Sequence, residues 1–137
     1  MGATGSIRDL SPYQCYTSIT LYYSMSWEVE FTAEFERWYR GLDQGTQDRI
    51  IAAVQVLRGQ GPGLGRPLVD SVKGSPFPMK ELRVGTIRIL FAFDPRRVAV
   101  LLTGGDKQHK WQKWYRTAIP EAGRFYAKHL KTIRDRG

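Results

Sequence analysis

The sequence predicts an α+β domain in which two helices pack on a small, mostly antiparallel sheet and one further helix follows it. Three observations carry this prediction. First, KELRVGTIRILFAFDP (residues 80–95) reads as a mostly buried hairpin turning at Gly85-Thr86. Second, Phe35, Trp38, Tyr39 and Leu42, then Ile50, Ile51, Val54 and Leu57, recur at helical spacing. Third, Ala122, Phe125, Tyr126, His129, Leu130 and Ile133 repeat that spacing near the C-terminus.

Residues 1–24 stand apart as an N-terminal extension. They hold one Arg and one Asp and are rich in Tyr, Ser and Thr. Residues 13–23 suit an extra strand. A disordered extension is the favoured alternative, with Met25 opening the working domain over residues 25–137. SWEVEFT (residues 26–32) alternates as a strand does, and Thr32 can cap the helix after it. Asp43 to Gly45 is expected to turn the chain into a second helix from about Thr46, antiparallel to the first. Residues 59–78 carry five Gly and four Pro, so they read as irregular. Loops this long in a compact domain are often functional, and Arg66 and Lys73 sit in this one. Strands are expected over Lys80–Val84, Ile87–Asp94 and residues 98–105. A helical segment then runs over residues 111–133, with Pro120 in the first turn of its second half or at a kink.

The chain of 137 residues suffices for one domain with a hydrophobic core. Its net charge of +8 and pI near 9.9 favour a polyanionic partner. No apolar run nears the roughly 18 residues that span a bilayer. Arg8-Asp9 with no long apolar stretch after it does not read as a secretion signal, so a cytoplasmic protein is expected. Cys15 is the only cysteine, which rules out an internal disulfide and a cysteine metal cage. No His/Asp/Glu cluster reads as a metal site, and no cofactor is expected. Gly104-Gly105 lacks the spacing and Lys-Ser/Thr ending of a phosphate-binding loop.

With Gly85-Thr86 as the turn, Val84 faces Ile87, Arg83 faces Arg88, Leu82 faces Ile89 and Glu81 faces Leu90. Leu82, Val84, Ile87, Ile89, Phe91 and Phe93 then share the core face, and Glu81, Arg83 and Arg88 share the other. Two arginines side by side repel, so something must offset them. The spacing leaves two answers open: a salt-bridge cluster with Glu81, or a bound phosphate held by the planar forks. TGGDKQHKWQKWYR (residues 103–116) continues the basic character. It sets Lys107, His109, Lys110, Lys113 and Arg116 among Trp111, Trp114 and Tyr115, a mixture suited to phosphates and unpaired bases. Trp114 is expected to pack under the last helix. His109 is a minor acid–base candidate, and His129 reads as structural.

The succession FTAEFERWYRGL, LGRPLVDSVKGS, MKELRVGTIRILFAFDP, LLTGGDKQHKW and AIPEA resembles the RelE/ParE superfamily of toxins, closest to its HigB-like, phage-associated branch. The resemblance spans roughly residues 26–130. It implies two N-terminal helices on a small twisted antiparallel sheet with a C-terminal helix. It also implies a metal-independent mRNA interferase acting on mRNA in the ribosome. The partner would be a cognate antitoxin, usually a helix-turn-helix protein of the HigA kind, through which operator DNA is reached. Arg83 and Arg88 fall where the family keeps catalytic or phosphate-binding basic residues, and Lys107 matches the basic residue after the last strand. Lys80 is a further basic position, and Glu81 and Tyr115 match more loosely. A His or Tyr general acid at a fixed position is missing from the pattern.

The chemistry expected is attack by a ribose 2′-hydroxyl on the adjacent phosphate. Arg83 and Arg88 would carry the transition-state charge, with Glu81 or His109 as acid or base. Lys107 and Lys80 would hold flanking phosphates. Arg66, Lys73, Lys110, Trp111, Lys113 and Tyr115 complete the expected RNA surface. The rival readings are a ParE-like gyrase inhibitor, which would lack this basic cluster, and an RNA-binding module that never cuts.

Overall fold

The computed structural model of the protein describes residues 4–6, 26–106 and 111–136. Strand β1 (Thr4–Ser6) is followed by β2 (Val29–Thr32), α1 (Ala33–Arg40) and α2 (Gln44–Gln60). Then come β3 (Val69–Ser71), β4 (Lys80–Val84), β5 (Ile87–Phe93), β6 (Ala99–Asp106) and α3 (Trp111–Arg136). The strands form one sheet in the order β1-β2-β6-β5-β4-β3. Only the β2–β6 pair is parallel. The α+β class and the element order match the sequence reading.

Alternation along the strands splits the apolar residues between two faces. One face packs Phe31, Leu82, Ile89, Phe91 and Leu101 against Phe35 of α1 and Ile50, Val54 and Leu57 of α2. The other packs Leu90, Ala92, Val100 and Leu102 against Ala118, Ala122 and Tyr126 of α3. The sheet is therefore a middle layer. This second face is the one to which the hairpin arginines belong.

Thr32 shows how local chemistry fixes the layers. Its hydroxyl oxygen accepts from the Phe35 amide at 3.0 Å, capping α1, and its proton goes to the Leu102 carbonyl at 2.7 Å. Leu102 lies at the irregularity where β5 and β6 change register. Thr32→Val should therefore cost about 2 kcal/mol, since it removes the cap and strands a buried carbonyl. Thr32→Ser should recover most of it, as urea unfolding of the two variants would report.

Three local expectations need correction. Helix α2 starts at Gln44, because the Asp43 carboxylate caps it by accepting from the Thr46 amide at 3.1 Å and the Thr46 hydroxyl at 2.7 Å. Asp43 to Gly45 is thus a helix start and not a turn. The Gly- and Pro-rich stretch 59–78 contains a 3₁₀ turn (Gly61–Gly63) and strand β3. Val69, Asp70 and Ser71 find partners in Leu82, Glu81 and Lys80, and that pairing outweighs local composition. Pro120 lies inside one continuous helix. The possible strand at residues 13–23 falls outside the described residues, and the observed edge strand is Thr4–Ser6.

Candidate active site

The hairpin places its side chains as its alternation requires. Gly85 has φ 61, the left-handed value that the first position of such a turn needs. The ladder pairs Val84 with Ile87, Arg83 with Arg88, Leu82 with Ile89 and Glu81 with Leu90. The two arginines therefore do lie side by side, but they face different surroundings.

Arg83 is one-third exposed and doubly paired. Its guanidinium donates to Glu81 Oε2 at 2.9–3.0 Å and to Asp70 Oδ2 at 3.1 Å. The hydrogen bond to Glu81 holds its pKa above the ordinary value, against the opposing effect of desolvation. Arg88 is only 7 % exposed. It folds back on its own turn, donating to the Gly85 carbonyl at 2.6 Å and the Ile87 carbonyl at 2.9 Å. Its Nε is buried without a hydrogen-bond partner. Carboxylates offset one arginine and backbone carbonyls the other.

The first turns of α3 form the roof. Gly105 on β6 pairs with Arg88, and a Cβ there would fall 2.2 Å from Trp114 Nε1, so the indole sits on bare backbone. Next to it, the Tyr115 hydroxyl donates to Glu81 Oε1. Burial pushes the Tyr115 phenol well above its usual range. The hydrogen bond to Glu81 and that residue's negative charge push the same way, while Arg88 pulls partly back. The phenol is thus neutral and carries its proton across the physiological range. Glu81, itself 6 % exposed, is held between a guanidinium and a phenol.

Glu81, Arg83, Arg88 and Tyr115 therefore come together. Of the other described candidates, Lys80 does not join them. Lys80 projects to the opposite face, where its Nζ donates to the Pro62 carbonyl at 3.2 Å and lies 5.7 Å from the Phe93 ring centre. Strand alternation dictates this, since Lys80 is one residue from Glu81. Lys73 and Lys113 are exposed. Arg66 reaches the cluster at one remove, through Asp70 Oδ2 at 3.2 Å. Lys107, His109 and Lys110 lie outside the described residues, as does the side chain of Trp111. Sequence reasoning missed Asp70 because it missed β3. No alternation marks it, since Leu68 to Val72 reads apolar, apolar, polar, polar, apolar. Among the described residues, no group of three or more His, Cys, Asp or Glu could hold a metal ion.

Residues 37–127, which contain the whole cluster, match the sequence model of the phage-derived Gp49-like (DUF891) proteins. The chain belongs to that family. The Gp49-like chain is 46% identical over 116 residues to the candidate toxin HigB2 of Mycobacterium tuberculosis (strain ATCC 25618 / H37Rv). That alignment covers 78% of this chain and 58% of HigB2, so the chain spans a little over half of that relative. It is 51% identical over 92 residues to the candidate toxin HigB3 of the same organism, covering 65% of this chain and 81% of HigB3. These relatives bear out the HigB-like resemblance. A crystal structure of the archaeal RelE–RelB complex from Pyrococcus horikoshii OT3 aligns with TM-score 0.47 and 14% identity, over 56% of the Gp49-like chain and 90% of the other.

Proposed function

We propose that this Gp49-like protein is the toxin of a type II toxin–antitoxin pair, and that it cleaves mRNA on the ribosome until a cognate antitoxin protein neutralises it. The observation that carries the reading is Glu81 held between Arg83 and Tyr115. A 2′-hydroxyl attack on phosphate needs a proton acceptor, a proton donor and fixed positive charge. Glu81 is the acceptor, Tyr115 a neutral phenol with a proton to give, and Arg83 the cation that solvent reaches. Arg88 lies behind them and sets the field from below. The identity to proteins named as toxins supports the same reading, and a HigA-like helix-turn-helix partner is the antitoxin that the HigB relationship favours. The cytoplasm is where such a protein would meet its ribosomes. Among the described residues no helix is long and apolar enough to cross a membrane.

Arg83→Ala is a cleaner test than a change at Arg88, which is buried and supports the turn. On induction in a bacterial host, the wild type should produce new mRNA 5′ ends inside translated codons within minutes. Arg83→Ala should lower the cleavage rate by about 10²–10³-fold, as loss of one transition-state donor does. Tyr115→Phe, which keeps the ring, should lose rate while the protein stays folded. Growth arrest with intact mRNA in the wild type would refute cleavage and favour a gyrase-type target.

A further inference from the structure

Where β3 borders the sheet edge, a cleft of about 300 Å³ opens beside the cluster. Its lining includes Gly63, Gly65, Arg66, Asp70, Ser71 and Lys80. The volume matches the lower end of small-ligand sites and suits one nucleotide unit. A Cβ at Gly63 or Gly65 would meet nothing within 4 Å, so that wall borders open space. Two cations line the cleft against one carboxylate, and that carboxylate is already engaged by two arginines. Asp70 Oδ2 accepts from Arg66 at 3.2 Å and from Arg83 at 3.1 Å, while Oδ1 accepts from the Ser71 amide at 2.9 Å. The cleft therefore presents net positive charge to an incoming anion.

The link through Asp70 decides which anion. The same carboxylate oxygen touches the accessible arginine of the cluster and the arginine of the cleft. The Arg66 side chain is 78% exposed and meets Asp70 through Nε, so its Nη groups can face a ligand while Asp70 holds it. We propose that the cleft is a second phosphate subsite, which takes the RNA phosphodiester next to the one cleaved, and that Asp70 is the positioning residue that fixes Arg66 relative to Arg83. Arg66 supplies the planar fork and Lys80 a point charge from the far side of the sheet edge. The proposal rests on the RNA-cleaving reading for its substrate but not for its test.

The test is binding of the full chain to short oligoribonucleotides with 2′-deoxy substitution, which cannot be cut. A trinucleotide has two phosphodiesters and a dinucleotide one. The wild type should bind the trinucleotide about tenfold more tightly. Arg66→Gln should remove most of that difference and leave dinucleotide binding nearly as it was. It should also lower the slope of log affinity against log salt by about 0.7, the value for one phosphate contact on a single strand. Asp70→Asn should weaken both oligonucleotides, and Asp70→Glu should restore part of the loss, as a purely structural role would not require. Equal binding of both lengths by the wild type, or an Arg66→Gln variant that keeps the full difference and slope, would overturn the subsite. If the wild type cleaves no mRNA but shows the length dependence, the subsite stands and the nuclease reading falls. If it cleaves mRNA without length dependence, the reverse holds.

Discussion

Asp94→Ala should lower the midpoint of thermal unfolding by roughly 10–20 °C, the effect of breaking a buried ion pair in a domain of this size. Asp94 closes β5, and its side chain is fully buried. One oxygen accepts from the Arg96 amide at 2.8 Å and the Val98 amide at 3.1 Å, shaping the turn into β6. The other meets His129 Nε2 at 2.8 Å and the Arg96 guanidinium at 2.7 Å. The carboxylate can only accept, so the proton between it and His129 belongs to Nε2. Arg96 goes on to Glu30 on β2 at 2.9 Å. One carboxylate thus clips α3 to the β5–β6 turn and joins that turn to a third strand. Its removal leaves His129 and two amides buried without their acceptor, a loss of about 3–5 kcal/mol. Calorimetry of the variant decides the matter, and a shift of only a few degrees would show that water replaces the carboxylate.

The same residue sets an acid limit. Burial alone would raise its pKa, but hydrogen bonds from His129, Arg96 and the Val98 amide outweigh burial and hold it below the ordinary 3.8. A carboxyl depressed in the folded state contributes stability that is full above the unfolded pKa and is lost as pH falls through the folded one. Wild-type stability should therefore decline below about pH 4. Asp94→Asn should show a shallower decline. It should not be flat, because hydrogen bonds from Thr46 and from Arg66 lower Asp43 and Asp70 as well.

Gly105→Ala should cost about 1–3 kcal/mol, the range for overpacking, and should reduce activity further than the loss of folded protein explains. The new methyl would fall 2.2 Å from Trp114 Nε1 and 2.6 Å from Cε2. The indole must lift, and Tyr115 must move with it because the rings are in edge contact at 4.9 Å. Gly104→Ala provides the control on the other face. Its methyl would fall 2.3 Å from Trp38 Cζ3, under α1 and away from the cluster. Stability should drop in both variants, but the activity of correctly folded protein should drop only in Gly105→Ala. Equal specific activities would mean that the roof does not position Tyr115.

The hairpin was legible because Gly85 marks the turn and the residues beside it alternate, so register and faces followed once the turn was placed. The environment of the second face was not. Leu90 and Ala92 sit between charged positions, and nothing local says that α3 lies on them and buries Arg88. An arginine in an alternating strand reads as exposed, yet here it is buried and its Nη1 donates to two backbone carbonyls of its own turn. In the aromatic run, Trp114 packs as expected, whereas Tyr115, read as part of an RNA surface, reaches Glu81 across 34 residues of sequence. His129 was correctly read as structural, but its partner Asp94 is 35 residues away and cannot be inferred from one sequence. Asp70 was lost for the opposite reason: glycines and prolines on either side hid a three-residue strand.

Parallel pairing of β2 with β6 joins Val29 to Ala99, so an early strand waits for a late one. Such long-range pairing is slow to form, whereas the β4–β5 hairpin can close by itself. Order of synthesis then governs when the cluster is complete. The hairpin bearing Glu81, Arg83 and Arg88 is finished at Phe93, and Tyr115 arrives 22 residues later (93 to 115), roughly 1–4 s at 5–20 residues per second. During that interval a nascent chain holds its arginines without their roof and, until β6 is made, lacks the strand that joins β2 to β5. A chain stopped before α3 docks has the hairpin arginines of the finished protein but not its paired carboxylate and phenol. Competence is thus deferred until α3 is made and docks.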